Sequence, residues 1–206
     1  MNSSEKYRKK YSLNVVDRSN SIKLYNSFLE KFSPILSLES LIDSALSEKN
    51  KITVFDLGCG EGQALKELKE IYKDKIKVMG LDLLPAKAAL DEFIEGSALE
   101  KDFPKEVDLL FSFRAMHEMD SMKKLIEKII SCLALHGKAV LSIRLIDLID
   151  SDPKFSGEIT AEDIKFLQKI LREKSFLNSI VSGKEVLINV QGVSLLTGIY
   201  LLIEKN

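Results

Sequence analysis

The chain has 206 residues, of which 45% are hydrophobic and 30% are charged, a composition typical of a folded globular protein rather than a disordered or fibrous one. Thirty basic residues are balanced by 31 acidic ones, and a formal charge of −1 excludes a protein that binds nucleic acid through net positive charge alone. The first 14 residues are polar and charged, and the longest apolar stretch, 195–203, is too short for a bilayer span. We therefore expect a cytoplasmic protein that is not attached to a membrane.

The sequence offers few side chains for a metal centre or a disulfide framework. Its two cysteines, Cys59 and Cys132, are far apart, and neither has a second cysteine at the CxxC spacing. With only two histidines in the chain, a zinc cluster lacks ligands of the usual kind. We expect no metal site, and a chain of this length buries enough surface to fold without one.

The first 50 residues predict a helical cap. Apolar residues recur at helical spacing in 22–32 and again in 38–46, and Ser37 is in position to cap the second helix. The pattern of the sequence changes near residue 50. This change predicts an N-terminal helical cap over 1–50 and a second domain over 51–206.

Beyond residue 50, short apolar runs alternate with helical patterns, which is typical of βα units and a mainly parallel sheet. This pattern predicts strands over 52–57, 77–82, 92–95, 107–113 and 138–144. It also predicts helices near 64–71 and 122–133 between them. The connection 83–91 between the second and third strands is too short for a full crossover helix. Thr160 and Asp163 form a capping-box pattern that begins a further helix.

Two glycines are interpreted as breaks in this pattern. Gly137 follows the helix 122–133 and is expected to end it as a C′ residue. Near the end of the chain, the apolar runs 185–190 and 195–203 flank Gln191–Gly192. This arrangement predicts an antiparallel hairpin that turns at Gln191–Gly192 and closes the sheet.

The most informative segment runs from residue 54 to residue 63 and has the sequence VFDLGCGEGQ. An apolar strand leads here into three alternating glycines, Gly58, Gly60 and Gly62, and then into a helix. Such a turn lies at the carboxyl edge of the sheet, where open α/β sheets bind ligands, and glycine lets a ligand approach the backbone. The G-x-G-x-G spacing differs from the G-x-G-x-x-G of dinucleotide-binding turns. If only the glycines are considered, they are also explained by a tight strand-to-helix connection that binds no ligand.

An acidic residue ends the next strand. Asp82 occupies the position one βα unit after Asp56, and its carboxylate is expected to face the same crevice as the glycine turn. A carboxylate in this place can accept hydrogen bonds from both hydroxyls of a ribose. The second acid therefore argues against a turn that has no ligand.

The turn DLGCGEG and the acid of the second strand together resemble the class I S-adenosylmethionine-dependent methyltransferases. The segments VDLLFSFRAMHEM at 107–119 and LALHGK at 133–138 match the family's fourth strand and the turn before its fifth. The resemblance covers residues 50–145 well. It implies a Rossmann-like, seven-stranded, mainly parallel α/β sheet with a C-terminal antiparallel hairpin. It also implies S-adenosylmethionine as cofactor and S-adenosylhomocysteine as product.

The resemblance implies that the glycine turn holds the amino acid end of the cofactor. The residues carried over for this role are Asp56, Gly58, Gly60 and Gly62. Cys59, within the same turn, would pack beneath the cofactor as a small side chain.

The nucleoside part of the cofactor is assigned in the same way. Asp82 would bind the ribose, and Leu83 would lie near the adenine. Ser97 and Ala98 occupy the place of a family segment whose acid binds the adenine amino group; Ser97 replaces that acid, and its hydroxyl can still accept one hydrogen bond. Phe113, at the end of the fourth strand, completes the implied cofactor site.

The candidates for catalysis follow the fourth strand: Arg114, His117 and Glu118. Methyl transfer from a sulfonium needs alignment and desolvation, and a base only when the acceptor loses a proton. His117 would suit that base because histidine titrates near neutral pH, and packing or helix capping by His117 is the alternative. The strand ends in FSFR and not in the Asn/Asp-Pro-Pro-Tyr/Phe of nucleic acid amine methylases.

We therefore predict a methyltransferase that acts on an oxygen or nitrogen of a small molecule. Two alternatives stay open. The run KYRKKY at 6–11 combines basic and aromatic residues, as segments that bind single-stranded nucleic acid do, and would suit an RNA (rRNA or tRNA) methyltransferase. The serine at position 97 would also be compatible with a protein that binds the cofactor without transferring its methyl group.

Overall fold

The computed structural model describes residues 8, 18–113, 115–116, 119, 121–144, 160–173, 187–195 and 198–206. Its strands are β1 (Ile52–Leu57), β2 (Ile76–Asp82), β3 (Glu92–Glu95), β4 (Val107–Phe113), β5 (Leu133–Arg144), β6 (Ile188–Leu195) and β7 (Gly198–Lys205). Its helices are α1 (Ile22–Leu29), α2 (Leu38–Leu46), α3 (Gln63–Tyr72), α4 (Met122–Cys132) and α5 (Ala161–Arg172). Among the described residues, no helix has the length and apolar character that a membrane span requires.

The seven strands form a mainly parallel sheet in the order β3-β2-β1-β4-β5-β7-β6. β1 pairs in parallel with β2 and β4, while β3 and β5 extend the two sides in the same direction. β7 runs antiparallel to both β5 and β6. The chain winds outwards from β1 to β3 and then crosses back to β4, so the ends of β1 and β4 flank the crevice where such sheets bind ligands. The Rossmann-like sheet with a C-terminal antiparallel pair is thus confirmed.

Helices cover both faces of the sheet and bury its apolar side chains. Helices α1, α2 and α3 share one apolar cluster with β1, β2 and β4, in which Tyr25 and Phe111 are fully buried. Helices α4 and α5 share a second cluster with β4, β5 and β7 on the opposite face. The N-terminal helices therefore pack directly on the sheet. The division into a cap over 1–50 and a domain over 51–206 stays a prediction.

Side-chain caps begin the two helices for which the sequence predicted a capping residue. The hydroxyl of Ser37 accepts a hydrogen bond from the backbone N–H of Ser40 and begins α2. Thr160 and Asp163 form the predicted capping box of α5, in which each side chain accepts a hydrogen bond from the other residue's backbone N–H. Each cap satisfies an N–H group that has no partner within the first helical turn.

The prediction that Gly137 ends a helix is wrong. Helix α4 ends at Cys132, and the chain enters β5 at the next residue, so Gly137 is a residue of β5. A Cβ atom on Gly137 would lie 2.6 Å from the carbonyl oxygen of Val107. This glycine therefore permits a close approach of two strands, and the register between β4 and β5 is irregular at this point.

The predicted turn at Gln191–Gly192 is also wrong. Gln191–Gly192 lies inside β6, and the hairpin turns after Leu195, which pairs with Gly198. A Cβ atom on Gly192 would lie 2.1 Å from the Cδ2 atom of Leu171 in α5. The glycine allows α5 to pack closely against β6 and has no part in the turn.

The connection 83–91 contains no helix, in agreement with its short length. It is fixed instead by Asp91, whose Oδ2 atom accepts hydrogen bonds of 2.8 Å from the backbone N–H of Val78 and from Lys69. The connection also reaches the glycine turn, since the backbone N–H groups of Lys87 and Ala88 donate hydrogen bonds to the carbonyl oxygen of Glu61. The connection 83–91 therefore lies beside the glycine turn at the carboxyl edge of the sheet.

Candidate functional site

The glycine turn joins β1 to α3 and is bonded to the end of β2. Gly58, Gly60 and Gly62 have φ angles of +84°, +60° and +80°, in the left-handed region that residues with a Cβ atom adopt only at a cost. The carbonyl oxygen of Leu81 accepts hydrogen bonds from the N–H groups of Gly58 (2.7 Å) and Cys59 (3.1 Å). These bonds hold the turn at the carboxyl edge of the sheet, where the sequence predicted it.

Asp56 lies just before the turn and is fully buried. Its Oδ2 atom accepts a hydrogen bond of 3.0 Å from the hydroxyl of Tyr25 in α1. Its Oδ1 atom is also buried, and no described residue donates a hydrogen bond to it. Burial raises the pKa of Asp56 well above its ordinary value, the bond from Tyr25 opposes the rise, and the charge of Asp82 adds to it. A buried acceptor of this kind is costly unless a ligand supplies the donor.

Asp82 ends β2 and faces the glycine turn, as predicted. Its Oδ2 atom accepts a hydrogen bond from the N–H of Gly60 at 2.9 Å, and its Oδ1 atom accepts one from the N–H of Leu84 at 3.1 Å. The guanidinium of Arg18 donates a further bond to Oδ1 at 2.8 Å, and both side chains of this ion pair are nearly buried. Burial raises the pKa of Asp82, while Arg18 and the two N–H groups limit the rise.

Arg18 links the N-terminal segment to both the turn and β2. Its Nη2 atom also donates hydrogen bonds of 3.2 Å to the carbonyl oxygens of Gly60 and Leu84. Its own carbonyl oxygen accepts a bond of 3.1 Å from the N–H of Glu61. The contact is so close that a Cβ atom on Gly60 would lie 2.3 Å from that oxygen. Arg18 is therefore part of the site, although it belongs to no motif by which the sequence alone would reveal it.

Cys59 and Phe113, two further predicted cofactor residues, are buried beside the turn. The Sγ atom of Cys59 would lie 2.7 Å from a Cβ atom on Gly80, so the thiol fills the space that this glycine leaves. Burial raises the pKa of Cys59 well above its ordinary value, which keeps the thiol protonated. The ring of Phe113 packs against Tyr25 at 4.7 Å and against Phe28 at 5.6 Å between centroids.

The predicted adenine residues follow β2 and β3. Leu83 is half-buried and comes directly after β2. The Ser97 hydroxyl accepts a hydrogen bond of 3.3 Å from the N–H of Leu99, within its own turn. The carbonyl oxygen of Ala98, a buried residue, accepts a bond of 2.7 Å from Lys128. The Ser97 oxygen is thus engaged locally, with capacity for one further bond.

Arg114, His117 and Glu118 lie outside the described residues, so their roles stay predictions. Their described neighbour Ala115 does reach the glycine turn, because its Cβ atom lies 2.2 Å from the place that a Cβ atom on Gly58 would take. The chain after β4 therefore passes directly beside the turn.

The described residues place two buried carboxylates, Asp56 and Asp82, beside the glycine turn at the carboxyl edge of the sheet. The free oxygen of Asp56 suits a cationic donor such as an ammonium group, because a buried negative charge is stabilised by an opposite charge. The Oδ2 atom of Asp82 can accept one bond in addition to that from Gly60. The arrangement can therefore bind a ligand that carries both an amino group and hydroxyl groups.

Comparisons with known proteins identify the family and the fold. A family model described as a methyltransferase domain matches residues 25–177. No curated protein sequence matches the chain significantly.

Several solved structures share the fold at low sequence identity. The plantazolicin methyltransferase BpumL, in complex with SAH, is 12% identical, with a TM-score of 0.60 over 99% of this chain and 95% of its own. The N-methyltransferase NodS from Bradyrhizobium japonicum WM9, in complex with S-adenosyl-l-homocysteine, is 13% identical, with a TM-score of 0.55 over 98% of both chains. A TehB-like SAM-dependent methyltransferase from Corynebacterium glutamicum is 13% identical, with a TM-score of 0.51 over 89% of this chain and 97% of its own.

Proposed function

The chain belongs to the class I S-adenosylmethionine-dependent methyltransferases, and we propose that it methylates an oxygen or nitrogen of a small molecule. When bound, the cofactor supplies a methyl group on a sulfonium, which is already activated for in-line displacement. The protein therefore has to bind the cofactor and the acceptor, align them and exclude water. Where the acceptor loses a proton during transfer, the protein also has to remove that proton.

The observation that carries this proposal is the buried, unpartnered Oδ1 atom of Asp56 beside the glycine turn. An ammonium group would supply the missing donor and the opposite charge together, and the amino acid end of the cofactor has such a group. We assign that end to Asp56, Gly58, Gly60 and Gly62, with Cys59 packed beneath the turn. The three left-handed glycines are compatible with this, because they give the turn a backbone path that residues with a Cβ atom adopt only at a cost.

The ribose is assigned to Asp82. Its Oδ1 atom already receives bonds from Arg18 and Leu84, while Oδ2 receives one from Gly60 and can accept a second. A ribose hydroxyl on Oδ2 is therefore compatible with the ion pair between Asp82 and Arg18.

The adenine is assigned to the residues beyond Asp82. Leu83 follows that acid directly and is half-buried, while Ser97 keeps one free acceptor position and stands beside Ala98. Phe113 would close the cofactor site from β4. A neutral hydroxyl at position 97 gives a weaker contact than the charged acid of the family.

The acceptor is assigned to the segment that follows β4. His117 is proposed to take the acceptor's proton on its imidazole nitrogen, with Arg114 and Glu118 orienting the acceptor. The passage of Ala115 beside Gly58 supports this placement, because it brings that segment to the reactive edge. Arg18, which is bonded to both Gly60 and Asp82, lies at the same edge and is compatible with a small acceptor.

Calorimetry with S-adenosylhomocysteine tests the cofactor assignment, and transfer of a labelled methyl group tests the acceptor. The protein is incubated with methyl-labelled cofactor and either a small-metabolite fraction or total RNA. We expect tight binding and label in the small-metabolite fraction. Absence of binding would overturn the cofactor assignment.

The labelling experiment also separates the alternatives. Label that enters RNA and is released by ribonuclease would identify an RNA methyltransferase. Of the basic run at 6–11, the described Arg8 lies 3.8 Å from Glu95 in an ion pair, so this side chain already has a partner within the chain. Tight cofactor binding with no labelled product in either fraction would indicate a binding protein without transfer activity.

A further inference from the structure

We propose that Tyr25 is a positioning residue, which fixes the buried carboxylate of Asp56 so that its Oδ1 atom receives the ammonium group of the cofactor. The inference rests on the proposed cofactor site and assigns a part of it to the N-terminal helix α1. Tyr25 acts through Asp56 and is not itself placed in contact with the cofactor.

The geometry of the pair supports this role. Asp56 comes two residues after Val54 in β1, so its side chain leaves the sheet on the face that α1 covers. There the hydroxyl of Tyr25 donates a hydrogen bond of 3.0 Å to Oδ2, and both side chains are 0% exposed. With Oδ2 held by Tyr25, rotation of the carboxylate is restricted, and Oδ1 is left as the oxygen that still lacks a donor among the described residues.

The ring of Tyr25 is itself held on two sides. It packs edge-on against Phe111 at 5.4 Å and lies 4.7 Å from Phe113, both in β4. Helix α1 is anchored at its start, since the N–H of Ile22 donates a hydrogen bond of 2.8 Å to Glu67 in α3. These contacts fix the position of the Tyr25 hydroxyl, as a positioning group requires.

The pKa shifts of the pair favour the same roles, with Tyr25 as the hydrogen-bond donor and Asp56 as the acceptor. Burial raises the pKa of Tyr25, and the neighbouring Asp56 raises it further, so the phenol stays protonated and donates. A hydrogen bond from the side chain of Asn20 opposes this rise in the pKa of Tyr25, and Cys59 in the turn adds to it. For Asp56, burial and the charge of Asp82 raise the pKa, and the bond from Tyr25 opposes them.

The test replaces Tyr25 by phenylalanine, which removes the hydroxyl and keeps the ring. Affinity is measured by calorimetry for S-adenosylhomocysteine and for 5′-deoxy-5′-methylthioadenosine, which lacks the amino acid part. For Tyr25→Phe we expect the affinity for S-adenosylhomocysteine to fall about tenfold, the change that loss of one hydrogen bond to a charged group produces. The affinity for methylthioadenosine is expected to stay unchanged.

A pH series adds a readout that a structural role would not change. Protonation of Asp56 removes the negative charge that holds the ammonium group, so affinity for S-adenosylhomocysteine falls as the pH is lowered. Without the Tyr25 hydroxyl, the pKa of Asp56 is higher, and this loss is expected to begin at a higher pH in Tyr25→Phe than in the wild type. Affinity for methylthioadenosine should not follow this shift.

Tyr72→Phe is the matched control, because its hydroxyl donates to the carbonyl oxygen of Glu39, away from the turn. This variant should bind both ligands as the wild type does. An equal loss of both ligands in Tyr25→Phe, or no loss of either, would overturn the positioning role while leaving the cofactor site intact. Failure of the wild type to bind S-adenosylhomocysteine would instead overturn the proposed function, and the role of Tyr25 with it.

Discussion

Replacement of Asp82 by alanine should destabilise the fold as well as weaken cofactor binding. The carboxylate is only 3% exposed and accepts bonds from Gly60, Leu84 and Arg18. Its removal leaves the guanidinium of Arg18, 11% exposed, without its counter-charge. Removing one partner of a buried ion pair costs about 3–5 kcal/mol, a large part of the roughly 5–15 kcal/mol that holds a domain folded. We expect Asp82→Ala to lose unfolding free energy in this range.

Asp82→Asn separates the charge from the hydrogen bonds. Its amide oxygen can still accept the bonds from Arg18 and Leu84, so its cost should be smaller, about 1–3 kcal/mol. The assay is urea unfolding at neutral pH followed by circular dichroism, with the free energy taken from the midpoint and slope. The double variant of Asp82→Ala with Arg18→Met removes the stranded cation and should recover part of the loss.

A wild-type unfolding midpoint in Asp82→Ala would refute this reasoning, because it would mean that the ion pair of Arg18 and Asp82 contributes nothing in solution. Strictly additive losses in the double variant would refute the coupling between the two residues. Cofactor affinity is measured separately on the folded fraction, so that the loss of a ribose contact is not confused with the loss of fold.

Three further variants test the site. Gly60→Ala places a Cβ atom 2.3 Å from the carbonyl oxygen of Arg18 at a φ of +60°; calorimetry should show severe loss of S-adenosylhomocysteine binding, and urea unfolding a cost of about 1–3 kcal/mol. Burial raises the pKa of Asp56 in the folded protein, so its contribution to the unfolding free energy is present at low pH and is lost as the pH rises through the folded-state pKa. Thermal unfolding should therefore show Asp56→Asn to be more stable than the wild type at neutral pH, although this variant binds the cofactor more weakly. His117→Ala should lower turnover about 10²–10⁴-fold in a methyl-transfer assay and leave cofactor affinity unchanged.

The order of elements could be predicted because it depends on local patterns. The helix over 38–46 and the capping box at Thr160 follow from residues within a few positions of each other, and both are confirmed. The meeting of the glycine turn with Asp82 follows from a general rule, since the carboxyl ends of adjacent parallel strands lie at one edge. Periodicity and this rule together account for the sheet and for the position of its site.

Contacts between distant segments could not be predicted. Tyr25 stands on the apolar face of its helix, where a ring is explained by packing alone, and only the fold shows that its hydroxyl reaches Asp56. Arg18 is one of 30 basic residues and belongs to no motif, although it pairs with Asp82. Gly192 resembles a turn residue in sequence, and only the approach of α5 explains it. In each case the deciding partner is far away along the chain.

The contact of Arg18 with the glycine turn crosses the boundary of the matched domain. The matched methyltransferase domain begins at residue 25, after the arginine that binds Asp82 and Gly60. Exchange of residues 1–24 between family members would therefore replace the counter-charge of Asp82 without replacing any residue of the turn. For an engineer, residue 25 is thus a poor junction for a chimaera, because a segment that lacks this arginine would leave the carboxylate of Asp82 buried without its cation.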